Sequence, residues 1–309
     1  MHSSLWTLRV FRLRLRPAWL KRVINFLIVP IYSMQPSGRG LEKVRKQVIG
    51  YNGKKLRVDI YQEKGSANEL RPSVVVCHGG GFWMRPRPDY IRHYREMVRE
   101  TGARVIVVDY TVSLQAPYPA AVEDCYLTAV WAHGNAEELR IDPARIALYG
   151  DSCGGALATA VAQMLRDRGQ FQPCLQMLIY PLTDDTLSSE SARKYTHTLV
   201  WNTRMSSDGK DLYLRGWEGP VPAYAFPANA TDLSGLPPTY IEVVEYDSLR
   251  DEGIAYAERL QAAGVQVELH EVKEAPHAFD LVWNSPITKE ARERRMVALK
   301  RIFKTDPSQ

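Results

Sequence analysis

A chain of 309 residues with 45% apolar and 24% charged residues is long enough for a large folded domain and is not typical of a disordered protein. The net charge of the chain is +5, and residues 1–40 alone carry +7, so the rest of the chain carries −2. This negative body disfavours a nucleic-acid-binding protein. The four cysteines, Cys77, Cys125, Cys153 and Cys174, form no CxxC pair. This spacing disfavours a zinc ribbon or a disulfide framework and fits free thiols in a cytoplasmic protein.

The first segment, residues 1–45, is both basic and apolar. It has no small-residue cleavage site after its arginines, which disfavours a signal peptide. Its apolar run from Val23 to Tyr32 is ten residues long and contains Asn25 and Pro30, which disfavours a transmembrane helix. Two interpretations stay open: contact with a membrane surface, or short helices packed on the body. We favour the second.

From residue 46 onward the pattern predicts alternating strands and helices. "KQVIGYNGKKLRVDIYQ" indicates a hairpin, with Asn52-Gly53 at a turn that needs positive φ. Short apolar runs predict buried strands over 73–78, 104–110, 145–150, 175–181, 239–247 and 265–272. Helical spacing predicts helices over 89–101, 119–139, 153–169, 251–264 and 288–304. The alternation predicts the α/β class, with a mostly parallel sheet covered by helices on both faces.

One region interrupts this alternation. Residues 182–236 contain aromatic and polar residues and scattered helical pieces, but no clear strand. Insertions of this length in an α/β sheet are usually functional. We therefore interpret the region as a lid, completed by the N-terminal segment.

A candidate nucleophile lies in "IALYGDSCGGALATAV", where Ser152 follows a predicted strand and precedes a predicted helix. The residues Gly150 to Gly154 match G-x-S-x-G in the strand–turn–helix context that this motif requires. Glycines on both sides allow a sharp bend, which leaves the hydroxyl exposed at its apex. The alternative is a serine that simply caps the helix.

A serine nucleophile needs a base, and a base needs an acid to orient it. Of the seven histidines, His277 has the best position, in a loop after the strand 265–272. Asp247 ends the strand 239–247, at the sheet edge where α/β sites assemble. Asp251, a candidate helix cap, and Asp280, beyond the histidine, are its rivals.

Backbone amides for the oxyanion are predicted in "VVVCHGGGFW". Gly79, Gly80 and Gly81 follow a buried strand and expose their N–H groups, and the N–H of Cys153 would complete the set. His78 can brace this loop through a backbone hydrogen bond. A phosphate-binding loop is disfavoured, because the run lacks both the G-K-[ST] ending and the GxGxxG spacing.

These motifs together resemble the hormone-sensitive-lipase-like branch of the α/β-hydrolases, which includes bacterial carboxylesterases. The resemblance covers residues 46–303 through "HGGGFW", "YPAAVED", "GDSCGG", "LPPTYIEVVEYDSLRDEG" and "PHAF". It implies an alpha/beta-hydrolase fold with an eight-stranded sheet and a helical cap, and a triad of Ser152, Asp247 and His277. The implied division is a cap segment at 1–45, core at 46–182, cap insertion at 183–225 and core at 226–309.

Two features depart from the family pattern. Cys153 stands where relatives usually carry alanine, so its thiol is expected to narrow the acyl pocket and to confer sensitivity to thiol reagents. The stretch "DYTVSLQAPYPAAVED" lacks the "YRLAPE" motif that is usual in the family, so the loop from Thr111 to Pro117 is expected to shape the site differently.

The sequence therefore predicts a serine carboxylesterase for small, uncharged esters of short to medium acyl chains, acting through an acyl-enzyme without metal or organic cofactor. The predicted substrate-binding residues are Phe82, Trp83, Asp151 and Trp201, with Tyr195 and Trp217 as further pocket or cap aromatics. Two alternatives stay open: an amidase or peptidase with the same triad, and a ligand-binding protein without catalysis. A homodimer that pairs through the edge strand 265–272 also stays open.

Overall fold

The computed structural model describes residues 1–5 and 17–304 of the chain. The strands are β1 (Leu41–Ile49), β2 (Lys55–Glu63), β3 (Arg71–Cys77), β4 (Arg104–Val108), β5 (Ile141–Asp151), β6 (Leu175–Ile179), β7 (Thr239–Tyr246) and β8 (Val267–Pro276). The helices are α1 (Ala18–Met34), α2 (Tyr90–Thr101), α3 (Ala120–Gly134), α4 (Ala136–Leu139), α5 (Cys153–Asp167), α6 (Glu190–Lys194), α7 (Thr203–Tyr213), α8 (Arg250–Ala262) and α9 (Pro286–Lys304).

All eight strands form one sheet in the order β1-β2-β4-β3-β5-β6-β7-β8. The pairs β1–β2 and β2–β4 are antiparallel, and every other pair is parallel. The predicted α/β sheet with an antiparallel hairpin at one edge is therefore confirmed. β8 forms the other edge, the position through which the homodimer left open by the sequence would pair.

The central strands are apolar on both faces because helices cover both faces. In β3, Val75 packs into the cluster shared with α3, α5 and α8, while Val74 and Val76 pack into the cluster shared with α2 and α9. Burial of each such side chain contributes about 1.5–3 kcal/mol to folding. This double coverage explains why the strands appear in the sequence as continuous apolar runs.

Several element boundaries differ from the predictions. Asn52 and Gly53 both have positive φ, as predicted, but they belong to a 3-10 turn, so the hairpin connection is longer than two residues. β1 includes residues 41–45, which the sequence-based division assigns to the cap segment. The predicted helix 119–139 is interrupted at Asn135, between α3 and α4. β8 continues to Pro276, so His277 follows the strand directly.

The described part of the N-terminal segment contains the 17-residue helix α1, which continues through Pro30. Across residues 1–5 and 17–304, no helix has both the length and the apolar character needed to cross a bilayer. The earlier residues of the basic segment, 6–16, lie outside the described part of the chain.

Candidate active site

Ser152 lies at a sharp bend between β5 and α5. Its backbone has φ 56° and ψ −127°, a conformation that costs a non-glycine residue about 1–3 kcal/mol and is typical of functional sites. The strand and helix approach so closely that a Cβ at Gly150 would lie 2.0 Å from the carbonyl oxygen of Gly154. The N–H of Ser152 donates to the Ile179 carbonyl at 2.9 Å, which fixes the bend to β6.

His277 and Asp247 complete a chain of hydrogen bonds with this serine. The His277 Nε2 atom lies 3.0 Å from Ser152 Oγ, and its Nδ1 atom lies 2.6 Å from Asp247 Oδ2. The other Asp247 oxygen accepts the N–H of Leu249 at 3.1 Å. All three side chains are buried, and residues distant in sequence meet here because β5, β7 and β8 run parallel.

The two rival carboxylates are held elsewhere. Asp251 accepts the N–H of Ser191, in the insertion, at 2.7 Å. Asp280 accepts the hydroxyl of Tyr180 at 2.8 Å and pairs with Arg295 at 2.9 Å. Burial opposes ionisation of Asp280, but the Arg295 guanidinium outweighs it and lowers the pKa of this carboxyl. Asp280 is therefore bound to Tyr180 and Arg295, and the Tyr180 ring lies 4.6 Å from the His277 imidazole.

In the glycine loop after β3, one of the predicted oxyanion donors is already hydrogen-bonded within the protein. Gly80 and Gly81, with φ of 120° and 59°, line the cavity beside Ser152. The N–H of Gly79 instead donates to Asp151 Oδ1 at 3.0 Å. The expectation that Gly79 faces the oxyanion is therefore corrected, because its amide is already paired with a buried carboxylate.

Asp151 braces the loop rather than offering a free carboxylate to a ligand. Its Oδ1 atom accepts the Gly79 N–H, and its Oδ2 atom accepts the hydroxyl of Tyr90 on α2. Burial raises the pKa of Asp151 to about 6, although both hydrogen bonds oppose this shift. Asp151 does line the cavity, as predicted.

The thiol of Cys153 points under the glycine loop, where its Sγ atom accepts the N–H of Phe82 at 3.1 Å. Cys153 is fully buried, and it is absent from the cavity lining among the described residues. The expectation that it narrows the acyl pocket is therefore corrected. Burial raises the pKa of Cys153 to about 12, which suppresses the reactive thiolate and argues against the expected sensitivity to thiol reagents.

His78 has the bracing geometry expected from the sequence. Its Nδ1 atom lies 2.9 Å from the Gly79 carbonyl oxygen, and its ring stacks on Tyr110 at 4.1 Å. Complete burial lowers the pKa of His78 to about 4. The imidazole is therefore neutral near pH 7 and fixes the loop without adding charge to the site.

The serine and histidine open into a cavity of about 780 Å³. This volume lies in the range of small-molecule sites. Apolar side chains from α7 and the adjoining loops cover it, and a few charged groups lie on the α2 side. The lining includes Gly80, Gly81, Met84, Arg87, Asp89, Tyr90, Arg92, Asp151, Ser152, Tyr180, Val200, Trp201, Met205, His277, Ala278, Leu281, Val282, Trp283 and Asn284.

The predicted aromatic residues divide into two groups. Trp201 lines the cavity, and its Nε1–H donates to Ser206 Oγ at 2.8 Å. Phe82 is buried against Tyr213, with ring centroids 4.0 Å apart, and its φ of 62° turns the side chain away from the cavity. Trp83 is also buried, and Lys21 of α1 lies 5.3 Å from its ring. The substrate-binding expectation for Phe82 and Trp83 is therefore corrected.

The two remaining predicted aromatics also lie outside the cavity lining among the described residues. Tyr195 packs edge-on to Tyr246, and Trp217 packs edge-on to Tyr118 with 43% of its surface exposed. Their positions are fixed by contacts within the insertion and its neighbours.

Several lining residues are not among the sequence-based predictions. Met84, Arg87 and Tyr90 follow the glycine run, while Leu281 and Val282 follow His277. Proximity in sequence to HGGG and to the histidine is the signal that points to them. Val200 and Met205 of the insertion have no such signal.

Comparison with known sequences places the chain among alpha/beta hydrolases and close to named esterases. The profile of a family described as alpha/beta hydrolase fold matches residues 74–281. The carboxylesterase NlhH of Mycobacterium tuberculosis is 35% identical over 270 residues, which cover 84% of this chain and 82% of that protein. An arylesterase of Saccharolobus solfataricus is 31% identical over 262 residues, covering 84% and 83%.

Solved structures give the same result over nearly the whole chain. A bacterial heroin esterase has a TM-score of 0.88 and 30% identity, with coverage of 99% of this chain and 98% of that one. The esterase LipW from Mycobacterium marinum has a TM-score of 0.86 and 29% identity, with coverage of 97% and 96%. The hydrogen-bonded serine thus lies in a fold that this chain shares with these four esterases.

Proposed function

Since the chain belongs to the alpha/beta-hydrolase family, in its hormone-sensitive-lipase-like branch, and is a carboxylic ester hydrolase, we propose that it is a serine carboxylesterase acting through an acyl-enzyme. One observation carries this proposal: the hydrogen-bonded series from Asp247 through His277 to Ser152, whose serine and histidine line a cavity. The proposed substrates are small-molecule esters of short to medium acyl chains.

In the proposed reaction, Ser152 Oγ attacks the ester carbonyl and its proton passes to His277 Nε2. Asp247 holds the imidazole with Nδ1–H toward the carboxylate and stabilises the imidazolium that forms. The C–O bond then breaks, and the alcohol leaves with the proton from His277. Water attacks the acyl-enzyme, loses its proton to the same imidazole and releases the acid.

We assign the developing negative charge on the carbonyl oxygen to the amides of Gly80, Gly81 and Cys153. Gly80 and Gly81 lie at the cavity wall, and Cys153 N is at the start of α5, where the helix dipole favours an anion. Gly79 has a supporting part, because its N–H holds the loop to Asp151.

The chain-length preference rests on the cavity. Apolar side chains such as Met84, Val200, Met205 and Leu281 line it and suit an acyl chain. A volume of about 780 Å³ accommodates a small ester. We therefore expect hydrolysis of butyrate and hexanoate esters to exceed that of long-chain esters.

The experiment compares wild type, Ser152→Ala and Ser73→Ala on p-nitrophenyl butyrate. Ser73 is the matched control, because it is a fully buried serine whose hydroxyl has no partner within the described structure. Ser152→Ala is expected to lower kcat/KM by at least about 10⁴-fold, and Ser73→Ala by less than about threefold.

Two further measurements test the mechanism and the substrate class. A slowly hydrolysed ester should add the mass of its acyl group to the peptide that contains Ser152. The corresponding butyryl anilide should be cleaved far more slowly than the ester, and faster cleavage of the anilide would favour the amidase alternative. Full activity in Ser152→Ala would contradict the proposed nucleophile.

A further inference from the structure

Helix α1 exposes its apolar side to the exterior. Among the described residues, the large hydrophobic side chains that are exposed include six from this one helix. They repeat at helical spacing and so form one stripe, which we name the outer face of α1. The outer face consists of Trp19, Val23, Phe26, Leu27, Ile31 and Met34.

The opposite side of α1 fixes this orientation through polar contacts with the body. Asn25 Nδ2 donates to the Trp83 carbonyl at 2.7 Å, and Asn25 Oδ1 accepts the N–H of Arg85 at 2.9 Å. Lys21 and Tyr32 are buried on the same side. The helix therefore cannot roll its apolar stripe inward without breaking these contacts, which is the reverse of an ordinary surface helix.

The net charge of the N-terminal segment favours a negatively charged partner. Residues 1–40 carry seven basic residues and no acid, and Arg22 is exposed on α1 itself. A second copy of the chain would bring two such basic segments together if the same face paired with itself. An anionic lipid surface instead offers both an apolar phase and opposite charge.

We propose that the outer face of α1 docks the protein on anionic membrane surfaces. At 1.5 Å per residue the 17-residue helix is about 25 Å long, which suits a helix lying in the plane of the interface. Trp19 and Phe26 enter the boundary between headgroups and acyl chains, while the exposed Arg22 contacts lipid phosphates.

The docking face is linked to the candidate active site through one loop. Asn25 binds the backbone of Trp83 and Arg85, and the neighbouring residues Met84 and Arg87 line the cavity. Docking thereby places this side of the cavity near the lipid surface. A supply of ester substrate from the lipid surface rests on the proposed esterase function, whereas membrane binding itself does not.

The test is sedimentation of the full chain with vesicles of phosphatidylcholine containing 30% phosphatidylglycerol, and with phosphatidylcholine alone. We expect binding to the anionic vesicles to be at least about tenfold tighter than to the neutral ones, and to weaken in 0.5 M salt. Leu27→Glu is expected to reduce binding at least about tenfold, because it places a carboxylate in the interface.

The matched control is Leu70→Glu, since Leu70 lies far along the chain and is 54% exposed, compared with 56% for Leu27. It should bind the vesicles as wild type does. Thermal unfolding and hydrolysis of a soluble ester establish that both variants are folded, and light scattering gives the oligomeric state. Unchanged vesicle binding by Leu27→Glu would overturn the proposal, as would a wild-type dimer that Leu27→Glu separates without any vesicle binding.

Discussion

The floor and the roof of the cavity are built in different ways. The floor, which we define as Ser152, His277, Asp151, Gly80 and Gly81, consists of residues at or just after the carboxyl ends of β3, β5 and β8. Hydrogen bonds from neighbouring backbone and side chains fix Ser152, His277 and Asp151 in place. Such a constellation is suited to chemistry, because reacting groups need positions defined to a fraction of an ångström.

The roof, which we define as Val200, Trp201, Met205, Leu281 and Val282, comes from α7 and from two loops. Its side chains are mostly apolar, and hydrogen bonds also hold it: the Trp201 Nε1–H donates to Ser206 Oγ and the Thr198 hydroxyl donates to the Trp201 carbonyl, both at 2.8 Å. Apolar packing tolerates changes in volume better than a hydrogen-bonded series tolerates the loss of a partner. The floor should therefore determine whether the reaction occurs, and the roof which acyl chains are accepted.

After the loss expected for Ser152→Ala, the next largest effect tests the floor through the acceptor of His277. Asp247→Asn replaces the acceptor of His277 Nδ1–H with a group that also presents N–H donors, so the imidazole is held in the wrong tautomer. We expect kcat/KM on p-nitrophenyl butyrate to fall about 10³–10⁴-fold, with KM changed only a few-fold. Steady-state kinetics at pH 8 measure both parameters.

Asp251→Asn is the control for this prediction, because Asp251 is the neighbouring aspartate that binds the insertion at Ser191. Its loss should alter kcat/KM by less than about tenfold. Equal losses in the two variants would mean that Asp247 supports the fold rather than the imidazole.

The sequence predicted the floor because strand ends determine it. Once β5, β7 and β8 are recognised as parallel strands of one sheet, residues just beyond their carboxyl ends lie along the same edge, so Ser152, Asp247 and His277 follow from local motifs. The error at Gly79 has a physical cause. The glycine run shows which backbone amides have no side chain to cover them. It does not show that one of them, the Gly79 N–H, already donates to the Asp151 carboxylate.

The roof and the outer face of α1 were less predictable because tertiary contacts determine them. An aromatic residue after the glycine run could point either way, and the positive φ at Phe82 turns it into the core against Tyr213. The amphipathic character of α1 is visible in its sequence. The side that faces outward depends on Asn25 meeting the backbone around Trp83, a contact between residues 58 positions apart.

An intermediate effect concerns the pH dependence of the floor's stability. The pKa of Asp151 is raised to about 6, so the native state binds this proton more tightly than the unfolded chain does. The stabilisation that comes from protonated Asp151 is therefore complete below about pH 4, and it is lost as the pH rises through 6. Relative to Asp151→Asn, the free energy of unfolding of wild type should fall by about 3 kcal/mol over this window. Urea titrations at closely spaced pH values measure it.

Tyr90→Phe gives this prediction a directional control. The Tyr90 hydroxyl donates to Asp151 and favours its ionised form, so removing the hydroxyl should raise the pKa of Asp151 further. The loss of stability should then extend to higher pH than in wild type. A constant difference between wild type and Asp151→Asn across the window would show that Asp151 is ionised throughout.

The smallest expected effect lies in the roof, at Trp201. Trp201→Ala removes an indole from the cavity wall and makes room for longer acyl chains, so the ratio of kcat/KM for p-nitrophenyl octanoate to that for the butyrate should rise about tenfold. Trp217→Ala is the matched control, because Trp217 belongs to the same insertion but packs on Tyr118 outside the cavity. The control should leave the ratio within about twofold of wild type. A similar rise in both variants would mean that loosening of the insertion, rather than the volume at Trp201, sets the acyl preference.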